Sequence, residues 1–210
     1  MATFQDRIDM LPRREFLGGL GLLALATGLP LATLGCADKD DVPSERQRTL
    51  MRDVSQLVLP RTGTPGAGDA AVGDFVLLAL AHGLERAREP LPPNADPALR
   101  SWTRSDGSLR QAAWLESELD RRASGDFLKG ADASKAGLLE KLDAEAFAPA
   151  ADGHPWRTIK ALILTGYYTS EIGGAEELRY ELVPGRWDPD IPLRPGDRAW
   201  SSDWTAVEFG

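Results

Sequence analysis

The chain has 210 residues, with 32 acidic side chains against 24 basic ones and a formal net charge of −8. That balance argues against holding a phosphate backbone, which needs clustered Lys and Arg, so no nucleic-acid partner is expected. Two histidines and one cysteine leave little for a transition-metal site and exclude an internal disulfide, so the fold must rest on packing alone.

The N-terminal stretch Pro12-Arg13-Arg14-Glu15-Phe16-Leu17-Gly18 leads into an uncharged run from Phe16 to Cys36, interrupted only by Pro30 among helix breakers other than glycine. A basic pair, an apolar run and small residues near its end are the layout of a twin-arginine export signal, with Arg13, Arg14, Phe16 and Leu17 as its determinants. That route carries proteins already folded, through the twin-arginine translocase. An Arg-Arg pair standing by chance before a membrane helix is the bland alternative. The Arg-Arg-x-Phe-Leu spacing together with the Gly-rich run favours the signal. Residues 1–37 are therefore read as a twin-arginine or lipoprotein signal. Its three positive and three negative side chains cancel, so the rest keeps the full −8. The run is also long enough to span a bilayer, and three fates are open: removal, retention as an anchor, or cleavage before Cys36 with a lipid on its thiol. Thr33-Leu34-Gly35-Cys36 is an imperfect lipobox, which makes Cys36 the candidate lipidation site.

Residues 38–43 form a charged linker, and 44–182 read as one small all-α domain of about five helices. Ser44 with Gln47 forms a capping box, followed by Leu50, Met51, Val54, Leu57 and Val58 at helical spacing and stopped by Pro60. Thr62 to Asp69 is a loop by composition. Asp69 is expected to cap a second helix, 70–88, carrying Val72, Phe75, Val76, Leu77, Leu80 and Leu84. A third helix is expected over 109–123, with Trp114, Leu115 and Leu119 inward. Asp126-Phe127-Leu128 reads as a single turn. Asp132 or Ser134 opens a fourth helix carrying Leu138, Leu139, Leu142 and Phe147. Pro155 starts the fifth and most apolar helix, with Gly173-Gly174 as its terminator. Residues 183–210 form an irregular Pro/Trp-rich C-terminal arm. Its Trp187, Trp200 and Trp204 are half of the six tryptophans, too aromatic a tail for simple disorder. It either folds back over its own helices or docks on another protein, where Trp is a favoured anchor.

No self-sufficient active site is expected. Gly66-Ala67-Gly68-Asp69-Ala70-Ala71 fits the dinucleotide fingerprint in letters, but no strand precedes it. His82 sits in an apolar helix and His154 in a turn before Pro155. Glu176-Glu177, Asp143 and Glu145 read as solvated. No residue of the chain is therefore assigned a catalytic, cofactor-binding or metal-binding role.

Two segments resemble the gluconate 2-dehydrogenase subunit 3 family. One is Leu57-Val58-Leu59-Pro60-Arg61-Thr62-Gly63-Thr64-Pro65-Gly66-Ala67. The other is Thr165-Gly166-Tyr167-Tyr168-Thr169-Ser170-Glu171-Ile172-Gly173, continuing through Glu177-Leu178-Arg179-Tyr180-Glu181 to Ile191-Pro192-Leu193. The resemblance implies a non-catalytic small subunit that escorts a flavoprotein of the glucose–methanol–choline (GMC) type through folding and export. FAD would then belong to that partner, and haem c to a multihaem cytochrome c subunit where one is present. The implied location is periplasmic, membrane-associated through the complex or through a lipid on Cys36. Tyr167, Tyr168, Glu171, Arg179, Tyr180, Trp187, Trp200 and Trp204 become the partner-docking candidates. With Cys36 the only thiol, the pairing would be non-covalent. The alternative is a stand-alone periplasmic or lipid-anchored helical binding protein.

Overall fold

The computed structural model describes residues 42–149, 151, 153–180, 190, 192 and 194–201. The Arg13, Arg14, Phe16, Leu17 and Cys36 signal residues lie outside them, as do Trp187 and Trp204. Five α-helices dominate the described residues: α1 (Glu45–Val58), α2 (Val72–His82), α3 (Gln111–Ala123), α4 (Asp132–Ala146) and α5 (Pro155–Tyr168). The all-α domain of about five helices read from the sequence is what the structure shows.

Helix α1 begins as the sequence dictates. The Ser44 hydroxyl accepts from the Gln47 N–H and the Gln47 side chain accepts from the Ser44 N–H, a complete capping box. Its buried face is Leu50, Met51 and Val54. Helix α2 differs from expectation. It is shorter, it starts after Ala71 in the left-handed region, and Asp69 does not cap it. Gly83, at φ +81, ends it in the left-handed conformation that favours glycine, so Leu84 falls in a short 3₁₀ turn and is exposed. Helix α3 buries Trp114, Leu115 and Leu119 as read. Asp126 caps the single turn Phe127–Lys129, whose Phe127 is fully buried. Helix α4 starts from Ala131, with no side-chain cap, rather than from a capping Asp132 or Ser134. Phe147 follows its end and is 52% exposed, with the Arg157 guanidinium and Lys160 ammonium 5.1 and 4.9 Å from its ring centre. It lies beneath cations rather than in the core. Helix α5 places Pro155 in its first turn and buries Trp156, Ile159, Leu162 and Ile163. It ends at Tyr168. Gly173 and Gly174 lie beyond it, inside a π-helical turn (Ile172–Glu177), and so do not terminate it.

The core forms where these faces meet, with α2 lying against both α1 and α5. Two glycines set how closely. A Cβ on Gly73 would sit 2.7 Å from the Arg52 N of α1, and one on Gly166 would sit 2.5 Å from Phe75 Cδ1. Polar ties hold the rim. Arg46 reaches Glu116, Asp120 and Asp126 at 2.6–2.7 Å, and Asp120 also accepts from the Phe127 N–H at 2.9 Å. Lys135, nearly buried on α4, pairs with Asp53 of α1 at 3.3 Å and with Asp132 at 2.9 Å. Asp143, expected to be solvated, instead accepts from the Trp156 indole N–H and from Lys160, both at 2.7 Å. Part of the C-terminal arm folds back: β1 (Arg179–Tyr180) and β2 (Trp200–Ser201) pair in parallel.

The glycines give a direct check. Gly73→Ala should cost roughly 1–3 kcal/mol, because the backbone of α1 has nowhere to yield. Gly137 lies mid-helix in α4, and apart from its own helix backbone no atom stands within 4 Å of the place its Cβ would take. It should tolerate Ala and gain about 0.5–1 kcal/mol. Urea unfolding of both variants reads the two signs.

Candidate functional site

The loop from Pro60 to Asp69 carries many backbone polar groups and no regular structure, so they are satisfied piecemeal. The Thr62 N–H donates to the Thr64 carbonyl at 3.1 Å and the Ala67 N–H to the Leu59 carbonyl at 2.9 Å. Gln56 of α1 adds two more bonds: its Oε1 accepts from the N–H groups of Gly68 (2.8 Å) and Asp69 (3.2 Å). The Asp69 carboxylate accepts from the Gly66 N–H at 3.1 Å and pairs with Arg61 at 2.9 Å. These contacts, the Gly66 N–H first and Arg61 after it, hold its pKa below the usual range despite some desolvation. Gly66 and Gly68 approach Gln56 so closely that a Cβ on either would lie within 2.8 Å of its side chain. The glycines are thus required by a turn pressed onto α1.

The far side of the same loop is held by α5 and the π-helical turn. The Tyr167 hydroxyl donates to the Pro65 carbonyl at 2.9 Å. The Thr64 hydroxyl donates to the Glu177 carboxylate, so Glu177 is a tie and not a solvated acid as expected. The segments 57–67 and 165–181, about a hundred residues apart in sequence, are thus joined over their described residues into one continuous structure. Gly173 belongs to it by necessity, because a Cβ there would fall 2.0 Å from the Tyr167 carbonyl oxygen.

The docking candidates separate into two groups. Tyr167 is 3% exposed and its contacts lie within this chain. Tyr168, edge-on to it at 5.3 Å between ring centres, is 39% exposed. Glu171 and Arg179 are exposed. The Arg179 guanidinium stacks 4.2 Å from the ring centre of Trp200, which remains 43% exposed, while the Arg179 backbone N–H donates to the Ala199 carbonyl at 2.8 Å. Tyr180 contributes its backbone to β1. Tyr168, Glu171, Arg179 and Trp200 are therefore presented at and just beyond the end of α5. Trp, Tyr and Arg are the residue types that dominate binding hot spots. The Arg179–Trp200 stack is not legible in the sequence, since nothing in the spacing couples residues 179 and 200.

A second feature is not announced by any motif. A cleft of about 810 Å³ lies between the 91–102 segment and the ends of α3, α4 and α5, bordered by Trp102, Trp114, Glu118, Arg121, Arg122 and His154. Glu118 bonds both arginines at 2.7 Å, and Arg122 continues to Glu145 at 2.5 Å. Burial pushes the Glu118 pKa up, but the Arg121 and Arg122 hydrogen bonds outweigh it, and the net direction is down. His154 caps α5: its Nδ1 accepts from the Trp156 N–H at 3.2 Å, and its ring meets Trp114 edge-on at 5.6 Å. Burial first, and the Arg122 charge next, hold its pKa below the ordinary 6.5. The i, i+3 and i+4 spacing of Glu118, Arg121 and Arg122 is the one available signal for this wall. His82 stands exposed at the end of α2 and does not border the cleft. Among the described residues no group of three His, Cys, Asp or Glu is placed to hold a metal ion, and no helix is long and apolar enough to cross a membrane.

A family model described as gluconate 2-dehydrogenase subunit 3 matches residues 45–185, from the first turn of α1 to beyond β1. No curated protein and no solved structure matches the chain.

Two outcomes follow from this geometry. Tyr167→Phe should lower stability by about 1 kcal/mol, the net value of one hydrogen bond with its carbonyl left partly desolvated. Chemical denaturation measures it. His154 is held neutral in the fold, so the stability it lends is complete above its ordinary pKa of 6.5 and is lost as pH falls below that value. His154→Asn keeps a capping acceptor but cannot titrate. Its stability should fall less steeply than that of the wild type between about pH 7 and pH 5; equal slopes would show that His154 is not held neutral.

Proposed function

Because the chain belongs to the gluconate 2-dehydrogenase subunit 3 family, we propose that it is the non-catalytic small subunit of a periplasmic, FAD-dependent dehydrogenase complex. In this reading it binds a GMC-type flavoprotein and supports that partner's folding and its export on the Arg13-Arg14 signal. FAD and the oxidation chemistry belong to the flavoprotein, and haem c to a cytochrome subunit where present. The assembly is held at the membrane through the complex or through a lipid on Cys36.

The observation that carries the reading is the cross-tied structure at the end of α5. Pro65, Tyr167, Thr64 and Glu177 fix the two halves of the surface to each other, and Tyr168, Arg179 and Trp200 are left outward on that support. A rigid support with exposed aromatic and Arg side chains is what a non-covalent hot spot requires, because little ordering entropy remains to be lost on binding.

Co-purification from the native cells tests it. A C-terminally tagged protein drawn out in mild detergent should bring a large chain with flavin absorbance; Soret absorbance would add the cytochrome. A colourless single band, with the tag shown not to block docking, would favour the stand-alone lipid-anchored protein instead. Trp200→Ala and Tyr168→Ala should each weaken recovery of the flavoprotein by about tenfold or more, with helical circular dichroism unchanged. Replacing Arg13 and Arg14 by Lys should leave both proteins in the cytoplasm. A flavoprotein still found in the periplasm would sink the escort role.

A further inference from the structure

The cleft beside α3 has a chemistry separate from the docking surface. Its volume, about 810 Å³, lies within the range of small-molecule sites. Its carboxylates are largely engaged: Glu118 accepts from Arg121 and Arg122, Glu145 accepts from Arg122, and one oxygen of Asp96 accepts from the Ala98 N–H at 2.9 Å. Several of its donors have no such partner. Arg121 spends Nε and Nη2 on Glu118, and Nη1 makes no hydrogen bond among the described residues. With Nδ1 of His154 accepting from Trp156, the ring proton sits on Nε2, which has no partner there either. The indole N–H groups of Trp102 and Trp114 are likewise not hydrogen-bonded within the described residues. The sealed, partnerless side-chain polar atoms among the described residues are Ser55 Oγ and Gln111 Oε1 alone, so both indole N–H groups are open to solvent. Trp114 is 7% exposed, and both tryptophans border the cleft.

We propose that this cleft is a binding site for a small ring-bearing carboxylate. The indole walls of Trp102 and Trp114 offer an apolar, π-rich face to the ring. The carboxylate supplies the acceptors that Arg121 Nη1, His154 Nε2 and the indole N–H groups lack, and charge-assisted bonds to a guanidinium are the strong kind. A neutral ring would leave the Arg121 donors facing water. A bare inorganic anion would leave the indole faces uncovered.

The test is a titration of the full-length ¹⁵N-labelled protein in detergent micelles, read at its indole N–H resonances. Trp102→Phe and Trp114→Phe identify the two peaks. Benzoate should shift both saturably, with a midpoint of about 1 mM or tighter. Arg121→Gln, at a position whose side chain is 67% exposed, should keep the fold and weaken benzoate by about tenfold. Benzyl alcohol and inorganic phosphate should each be weaker than benzoate by a similar factor. No saturable shift, an unchanged midpoint in Arg121→Gln, or equal binding of benzyl alcohol or phosphate would each overturn the proposal.

Discussion

The Pro60–Asp69 loop is the constraint on which the rest of the domain depends. It is short, rich in Gly and Pro, and has no ladder of its own to satisfy its backbone. Besides its own local bonds, it is held by Gln56 from α1 and by Tyr167 and Glu177 from the other side. Those ties fix the start of α2 relative to both neighbours. The Gly73 and Gly166 contacts then let α2 sink between them. In a chain with one cysteine near its N-terminus, this mutual bracing takes the place that a disulfide fills in many other small domains.

Helix identity was legible where apolar spacing ran long. Leu50-Met51-Val54, Trp114-Leu115-Leu119 and Ile159-Leu162-Ile163 announce their faces, and each is buried. The ends were harder to read. Gly83 stops α2 through a left-handed φ that a run of apolar residues conceals, and Ala71 starts it without any capping side chain. Gly173 has the look of a helix stop, but what requires glycine there is the Tyr167 carbonyl, 2.0 Å from where a Cβ would stand. Phe147 reads as core by hydrophobicity, yet two cations occupy its ring face.

The site was legible in outline and not in division of labour. The fold joins the two resemblance segments. Sequence could not say that Tyr167 faces inward and Tyr168 outward, since one helical step of about 100° decides it and the neighbouring loop supplies the hydrogen bond. The pairing of Arg179 with Trp200 depends on a chain reversal that no local pattern encodes. The cleft of Trp102 and Trp114 escaped for the same reason. Its walls come from α3 and from the segment before it, and only tertiary packing sets them face to face.

Arg46 has a mechanical consequence. It lies in the first turn of α1 and is bonded to Glu116 and Asp120 of α3 and to Asp126 at the following turn. A pull on the start of α1 would have to break these three ion pairs as well as the Ser44 cap, because they tie that end of the helix sideways to α3. The brace acts as a strain relief, like the clamp on a cable where it enters its housing.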